Sequence, residues 1–131
     1  MNTVKEKRTV QNINKLFFAM MFACLLSIAD QTSCIASSVV LQWDPNTDTD
    51  LAGYKVYYQP DTSTQPFKGT GATQGQSPID VPISINQTSV TVNGLDPAHA
   101  YFFAVTAYNT AGAESSYSNI VAVPELVPPT V

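Results

Sequence analysis

The sequence predicts an all-β domain, a sandwich or small barrel of about six or seven short strands, and three observations support this fold class. After position 37, apolar residues alternate with polar ones at a period of two, as in a strand with one buried face. These segments recur at intervals of roughly 8–12 residues, separated by Gly, Pro, Asn, Asp and Ser. No stretch in this part of the chain has helical periodicity.

The predicted strands justify this fold class one by one. The first contains Val39, Leu41 and Trp43 on one face, and an Asp- and Asn-rich turn follows it. The second covers 53–59 and the third, at 79–85, is an edge strand because Pro78 and Pro82 cannot donate to a ladder. The remaining strands are predicted at 89–93, 101–108 and 117–123.

Two segments outside the strands have loop composition. Residues 60–77 are rich in Gly, Thr, Ser, Gln and Pro, and we expect a mobile loop there with at most a short edge strand at 66–68. Residues 125–131 form a Pro-rich tail after the domain at 37–124.

The first 36 residues have the pattern of a signal peptide, which we expect to form a helix ahead of the domain. Four basic residues within the first fifteen positions precede a run of fourteen mainly apolar residues at 16–29. This run fits the apolar core of an export signal, about 7–15 residues, and falls short of the roughly 20 residues of a membrane span. We expect cleavage near Ala36, with Ala29 as the alternative, and no transmembrane span in the mature form.

The two cysteines, Cys24 and Cys34, lie in or beside this segment, so the predicted domain has no cysteine for a disulfide. A lipoprotein signal needs an apolar residue, typically Leu, three places before the cysteine, and neither position fits well. We therefore predict a secreted protein, extracellular or periplasmic, with a lipid anchor at Cys24 as the minor alternative.

The charge of the domain restricts its partners. From residue 37 onward the chain has two basic residues and eight acidic ones. Such a surface repels nucleic acid and anionic lipid. We expect no nucleic-acid partner, and instead a protein or a polysaccharide at the cell exterior.

Three motifs occur in order: Val39-x-Leu41-x-Trp43, Gly53-Tyr54-x-Val56-x-Tyr58 and Gly94-Leu95-x-Pro97-x-x-x-Tyr101-x-Phe103-x-Val105-x-Ala107. Together they resemble the fibronectin type III family over about residues 38–124. The resemblance implies an immunoglobulin-like Greek-key β-sandwich. Its structural core would include these positions: Trp43, Tyr54, Leu95, Pro97 and Tyr101.

The third motif resembles the tyrosine corner of that family. The resemblance implies that the Tyr101 ring lies in the core and that its hydroxyl meets a backbone group a few residues upstream. The chain departs from the family in two places. The loop at 60–77 is longer, and cleavage near Ala36 leaves almost nothing for a first strand, whereas cleavage after Ala29 leaves residues 30–37 for it, with a free thiol at Cys34. The whole core is expected to consist of Val39, Leu41, Trp43, Tyr54, Val56, Val90, Val92, Leu95, Tyr101, Phe103, Val105 and Val121.

The turn after the first strand is a weak calcium candidate. Asp44, Asn46, Asp48 and Asp50 place oxygen ligands at alternate positions, as the start of a calcium loop does. Thr49 stands where the sharp turn of such a loop needs Gly, and Lys55 stands where it needs a bidentate Glu. We therefore favour an ordinary turn between strands and predict no metal and no cofactor.

The sequence predicts no enzyme. His99 is the single histidine, and it lies in a turn without the spacing of a zinc site or the elbow motif of a hydrolase. A small hydrolase is the least favoured prediction, and it would depend on Asp44 and Asp50 acting as a pair of catalytic carboxylates.

Several aromatic residues are predicted to lie outside the core: Tyr57, Phe67, Phe102, Tyr108 and Tyr117. Such rings either pack across strands or bind a partner, and Tyr57 and Phe67 are the candidate contact residues. The predicted function is a non-enzymatic module for protein contact or spacing. A carbohydrate-binding accessory module is the alternative.

Overall fold

The computed structural model describes residues 16–21, 36–83 and 87–125. Its strands are β1 (Leu16–Met21), β2 (Ser37–Trp43), β3 (Leu51–Pro60), β4 (Ile79–Pro82), β5 (Ser89–Leu95), β6 (Tyr101–Asn109) and β7 (Val121–Val123). They form a three-stranded sheet in the order β1-β2-β5 and a four-stranded sheet in the order β4-β3-β6-β7. All pairs are antiparallel, so the predicted all-β sandwich is confirmed.

The core lies between the two sheets and follows the period-two pattern of the strands. Trp43, Tyr54, Leu95 and Tyr101 are buried in it. Of the residues expected in the core, Val90 and Val121 are partly buried and pack against it, and Pro97 in the turn between β5 and β6 is also only partly buried. The core also includes residues that were not expected there: Tyr58, Ala72, Ile79, Val81, Ala107 and Val123.

The turn between β5 and β6 has the geometry that the resemblance implies. The backbone N–H of Asp96 donates to the Tyr101 hydroxyl at 3.1 Å, and the ring is buried. Burial raises the pKa of Tyr101. Gly94 adopts a φ of 79° beside Thr73, a conformation that favours glycine.

The segment between β3 and β4 packs on the domain, which differs from the mobile loop that its composition predicts. Phe67 and Ala72 are buried, and the N–H of Gly69 donates to Tyr58 O at 2.8 Å. The Tyr58 hydroxyl donates to Gly75 O at 2.7 Å and accepts from the N–H of Ala72 at 3.2 Å. These contacts satisfy backbone groups that solvent would otherwise satisfy.

The last strand is shorter than the predicted 117–123. The hydroxyls of Ser115 and Ser118 accept hydrogen bonds from the N–H groups of Ala107 and Val105 at 3.0 and 2.9 Å. Because side chains replace backbone carbonyls at these places, the regular ladder with β6 begins only at Val121.

The predicted signal peptide is described only in part. Residues 16–21, where a helix is expected, form strand β1, which pairs along β2 from Leu16↔Trp43 to Met21↔Ser38. An apolar segment can satisfy its backbone in this way without forming a helix. Residues 1–15 and 22–35 of the predicted signal peptide, with Cys24 and Cys34, and the tail beyond Glu125 lie outside the described residues.

Candidate functional site

The face of the four-stranded sheet that points away from the core carries a group of polar and aromatic side chains. On β3, Tyr54, Val56 and Tyr58 are buried, so the alternating residues Lys55 and Tyr57 lie on the other face. Thr106 on β6 pairs with Lys55 in the register of the two strands. Together with Glu114 and Tyr117 from the segment after β6, these residues form what we call the outer-face cluster: Lys55, Tyr57, Thr106, Glu114 and Tyr117.

Glu114 is the centre of this cluster. Its carboxylate accepts a hydrogen bond from Lys55 Nζ at 2.8 Å, from Thr106 Oγ1 at 2.7 Å and from the Tyr57 hydroxyl. The Lys55 and Glu114 side chains are 33% and 27% exposed, so the ion pair is partly exposed to solvent. An isolated surface pair stabilises little, but three donors on one carboxylate hold its position.

These contacts shift the ionisation of the cluster. Burial alone would raise the pKa of Glu114, but the hydrogen bonds from Lys55, Tyr57 and Thr106 outweigh it and lower that pKa. Burial raises the pKa of Tyr57, and its hydrogen bond to the Glu114 carboxylate raises it further. At neutral pH the cluster therefore presents an ionised carboxylate beside a neutral phenol.

The aromatic rings of this face pack edge to face. The Tyr57 and Tyr117 ring centroids are 4.8 Å apart at 89°, and those of Phe67 and Tyr117 are 5.4 Å apart at 82°. Beneath them, Ala104 and Thr106 are almost fully buried although they lie outside the main core. The outer face thus has a small packed layer of its own.

Phe67 was predicted to lie outside the core as a candidate contact residue, and the structure buries it. Only 2% of the residue is exposed, because the segment between β3 and β4 folds its ring against Tyr117. Tyr57, the other candidate contact residue, is partly exposed and belongs to the outer-face cluster.

Tyr108 extends this face toward β4. Lys55 Nζ lies 5.5 Å from the centroid of the Tyr108 ring, within the range of a cation–π contact. Gly53 makes room for the ring, since a Cβ there would lie 2.6 Å from the Tyr108 hydroxyl oxygen. Burial, and then a hydrogen bond to the Asp80 carboxylate, raises the pKa of Tyr108.

The sequence reasoning missed Lys55, Thr106 and Glu114 as members of a site. A signal for the pair was available, because Lys55 occupies a position of β3 opposite to the core pattern and Glu114 has the opposite charge. Their contact depends on the β3–β6 register and on the path of the chain after Asn109, which spacing alone does not determine.

The acidic residues after β2 form a turn. Asn46 Oδ1 accepts from the Asp48 N–H at 2.7 Å, a local Asx arrangement. The Asp50 carboxylate accepts from Asn109 Nδ2 at 3.2 Å, and Asp50 O accepts from the Thr110 N–H at 2.9 Å. Within the described residues no group of three or more His, Cys, Asp or Glu side chains is placed to hold a metal ion, so Asp44, Asp48 and Asp50 do not come together as metal ligands.

His99 lies at the opposite end of the sandwich. Its Nδ1 is 2.6 Å from Asp61 Oδ2, and its Nε2 is 3.9 Å from Asp96 Oδ2. All three side chains are exposed, and their contacts link two surface loops.

Among the described residues, no helix is long and apolar enough to span a membrane.

Comparisons with known proteins agree with this architecture. The family model "Fibronectin type III domain" matches residues 30–123. A Caenorhabditis elegans protein, "Tyrosine-protein phosphatase Lar-like", is 32% identical over 88 residues, which are 66% of this chain and 4% of that protein. The chain therefore spans a small part of this relative.

Two solved structures are similar to this chain. The fibronectin type III domain from the human KIAA0970 protein has a TM-score of 0.58 and 19% identity, covering 94% of this chain and 80% of that one. The domain from human "fibronectin type III domain containing protein 3" has a TM-score of 0.44 and 25% identity, covering 66% and 71%.

Proposed function

The chain belongs to the fibronectin type III family, and we propose that it is an exported, non-enzymatic module that contacts a protein partner through the outer-face cluster. Members of this family commonly mediate protein contact or spacing. The observation that carries the proposal is the Lys55–Glu114 pair with partly exposed tyrosines around it.

The chemistry of this surface favours a protein partner. Tyrosine rings are rigid, amphipathic anchors, and protein interfaces are enriched in them. The three donors on Glu114 fix the position of the cluster before any partner arrives, which reduces the entropy that binding costs.

A carbohydrate-binding role is the weaker alternative. Sugar rings stack on open aromatic faces, whereas Phe67 is buried and the Tyr57 ring is engaged edge to face with Tyr117. A small hydrolase is weaker still, since Asp44 and Asp50 do not join His99, whose near neighbours are Asp61 and Asp96.

Export is supported by the basic and apolar pattern of the first 36 residues. The intact mass of protein recovered outside the cytoplasm tests it, because cleavage near Ala36 or Ala29 gives two distinct masses. Full-length chain retained in the cytoplasm would contradict export.

Photo-crosslinking tests the contact surface. A benzophenone amino acid replaces Tyr108 in one variant and Thr91, an exposed residue of β5 in the other sheet, in a matched control. We expect covalent protein adducts from the Tyr108 position and few from the Thr91 position. Equal yields, or no protein adducts while a glycan array shows binding, would contradict the proposed protein contact.

A further inference from the structure

Without β1, the two sheets have four outer edges, at β2, β5, β4 and β7, and these edges differ in how they are protected from pairing with another strand. Unpaired edges bind other strands unless charges, prolines, irregularities or covering loops prevent it. On the β5 edge, the Asn93 N–H donates to Gln74 Oε1 at 2.9 Å, and Asn93 O accepts from the Thr73 N–H at 2.8 Å. The segment between β3 and β4 therefore covers this edge.

The edges of the four-stranded sheet are short and interrupted. β4 has four residues, follows Pro78 and ends at Pro82, and its Asp80 is exposed. β7 has three residues and is followed by Pro124, and Ser115 and Ser118 break the ladder before it. Neither edge offers a long row of free backbone groups.

The outer edge of β2, which faces away from β5, is covered by a strand, β1. Residues 37–43 contain no charged residue and no proline. Along this edge β1 pairs in antiparallel register with six consecutive residues, from Ser38 to Trp43. Within the described residues, β1 is the strand that pairs on this side.

The covering strand belongs to a part of the chain that export would remove. β1 lies before residue 30, where the family match begins, and within the apolar run of the predicted signal peptide. Cleavage after Ala29 or Ala36 would separate it from the domain. The family part of the chain would then have an uncharged β2 edge without β1.

From this contrast we infer that the outer edge of β2 in the processed protein binds an extended, uncharged, apolar strand of a protein partner, in the place that β1 occupies. The inference rests on the export step of the proposed function. β1 itself shows the chemistry that fits: six residues, Leu-Phe-Phe-Ala-Met-Met, antiparallel to β2. Such strand addition takes its affinity from main-chain hydrogen bonds.

The backbone groups that would bind the partner follow from the pairing with β5. The Trp43 N–H donates to Thr88 O at 2.9 Å, on the β5 side. Since backbone groups alternate along a strand, the N–H groups of Val40 and Gln42 face the opposite side. By the same alternation from Asn93, the Thr91 N–H faces away from β2.

A peptide titration on the exported protein tests the inference. The probe is a synthetic Leu-Phe-Phe-Ala-Met-Met peptide with solubilising lysines at both ends, followed by the fluorescence of Trp43, the single tryptophan. We expect saturable binding, and loss of at least about a hundredfold in affinity when alternate peptide nitrogens are methylated, because several ladder hydrogen bonds disappear.

Protein variants locate the site. Gln42→Pro removes one donor on the proposed edge and should weaken peptide binding about three- to tenfold, whereas Thr91→Pro on the other edge should leave it unchanged. Circular dichroism establishes that each variant is folded. Where a proline variant does not fold, the comparison of methylated with unmethylated peptide on the wild-type protein decides the question.

The outcomes separate this inference from the proposed function. A mass that still includes residues 16–21 would contradict export, on which the inference depends. A processed mass with no peptide binding, or with equal binding of the methylated peptide, would overturn the inference alone. A processed dimer that Gln42→Pro splits would also overturn it, since a second copy would then occupy the edge.

Discussion

Residues alternate between the two faces of the β3–β6 pair, and different interactions stabilise the two faces. The inner face, with Tyr54, Val56 and Phe103, is buried against the other sheet. The outer face packs two tyrosines around a partly exposed carboxylate with three donors. The inner face therefore depends on apolar area removed from water, and the outer face depends on cross-strand contacts and hydrogen bonds. Substitutions on the two faces should differ in size and in pH dependence.

The largest effect is expected in the core, at Trp43 of β2, which packs against the inner face of the β3–β6 pair. Trp43→Ala should reduce the free energy of unfolding by about 3–5 kcal/mol, because it leaves a cavity beside Tyr54, whose ring centroid is 5.1 Å away. Urea denaturation measures this change. Trp43→Phe is the control: it keeps most of the volume and removes an indole N–H that has no acceptor among the described residues. Equal losses for both variants would contradict a cavity effect.

Phe67→Ala should have an intermediate effect, about 2–3 kcal/mol, because its cavity lies under a surface segment that can partly collapse. The residue is as buried as a core residue but packs in the outer layer against Tyr117. Thermal or urea unfolding of Phe67→Ala and Phe67→Leu measures the difference. A loss below the error of the measurement would mean that the segment between β3 and β4 does not pack on the sheet in solution.

The smallest effect, and the one that depends on pH, is expected at Glu114. Glu114→Gln should cost about 1 kcal/mol at pH 7, since the neutral amide accepts weaker hydrogen bonds from Lys55, Tyr57 and Thr106. The folded pKa of Glu114 lies below its ordinary value of 4.5, so the stabilisation is present above pH 4.5 and is lost as pH falls through the folded pKa. Urea denaturation at pH 7 and pH 3 measures both variants. A difference that grows toward acid would contradict this role.

The core between the sheets was predictable from the sequence and the outer layer was not. Alternation indicates burial for Trp43 and Tyr101, the family resemblance implies it for Leu95, and the structure buries all three. Composition predicted a mobile segment at 60–77 because its turn-forming residues outnumber one Phe, whereas the fit of that Phe to Tyr117 depends on tertiary packing.

The sequence pattern also failed to predict the extent of the last strand and the strand at residues 16–21. Apolar periodicity suggested a strand over 117–123, but Ser115 and Ser118 take the hydrogen bonds of β6 through their hydroxyls. The apolar run at 16–29 carries no alternation, so nothing in its pattern indicated that residues 16–21 would pair with β2.

The most direct test of the division between the two faces is the Lys55→Ala variant, measured for both stability and partner contact. We expect a free energy of unfolding within about 1 kcal/mol of wild type, because the ion pair is partly exposed. We also expect the yield of protein adducts from a crosslinker at position 108 to fall at least about threefold, since Lys55 borders that ring. An unchanged adduct yield in a folded Lys55→Ala protein would contradict a contact role for the outer-face cluster.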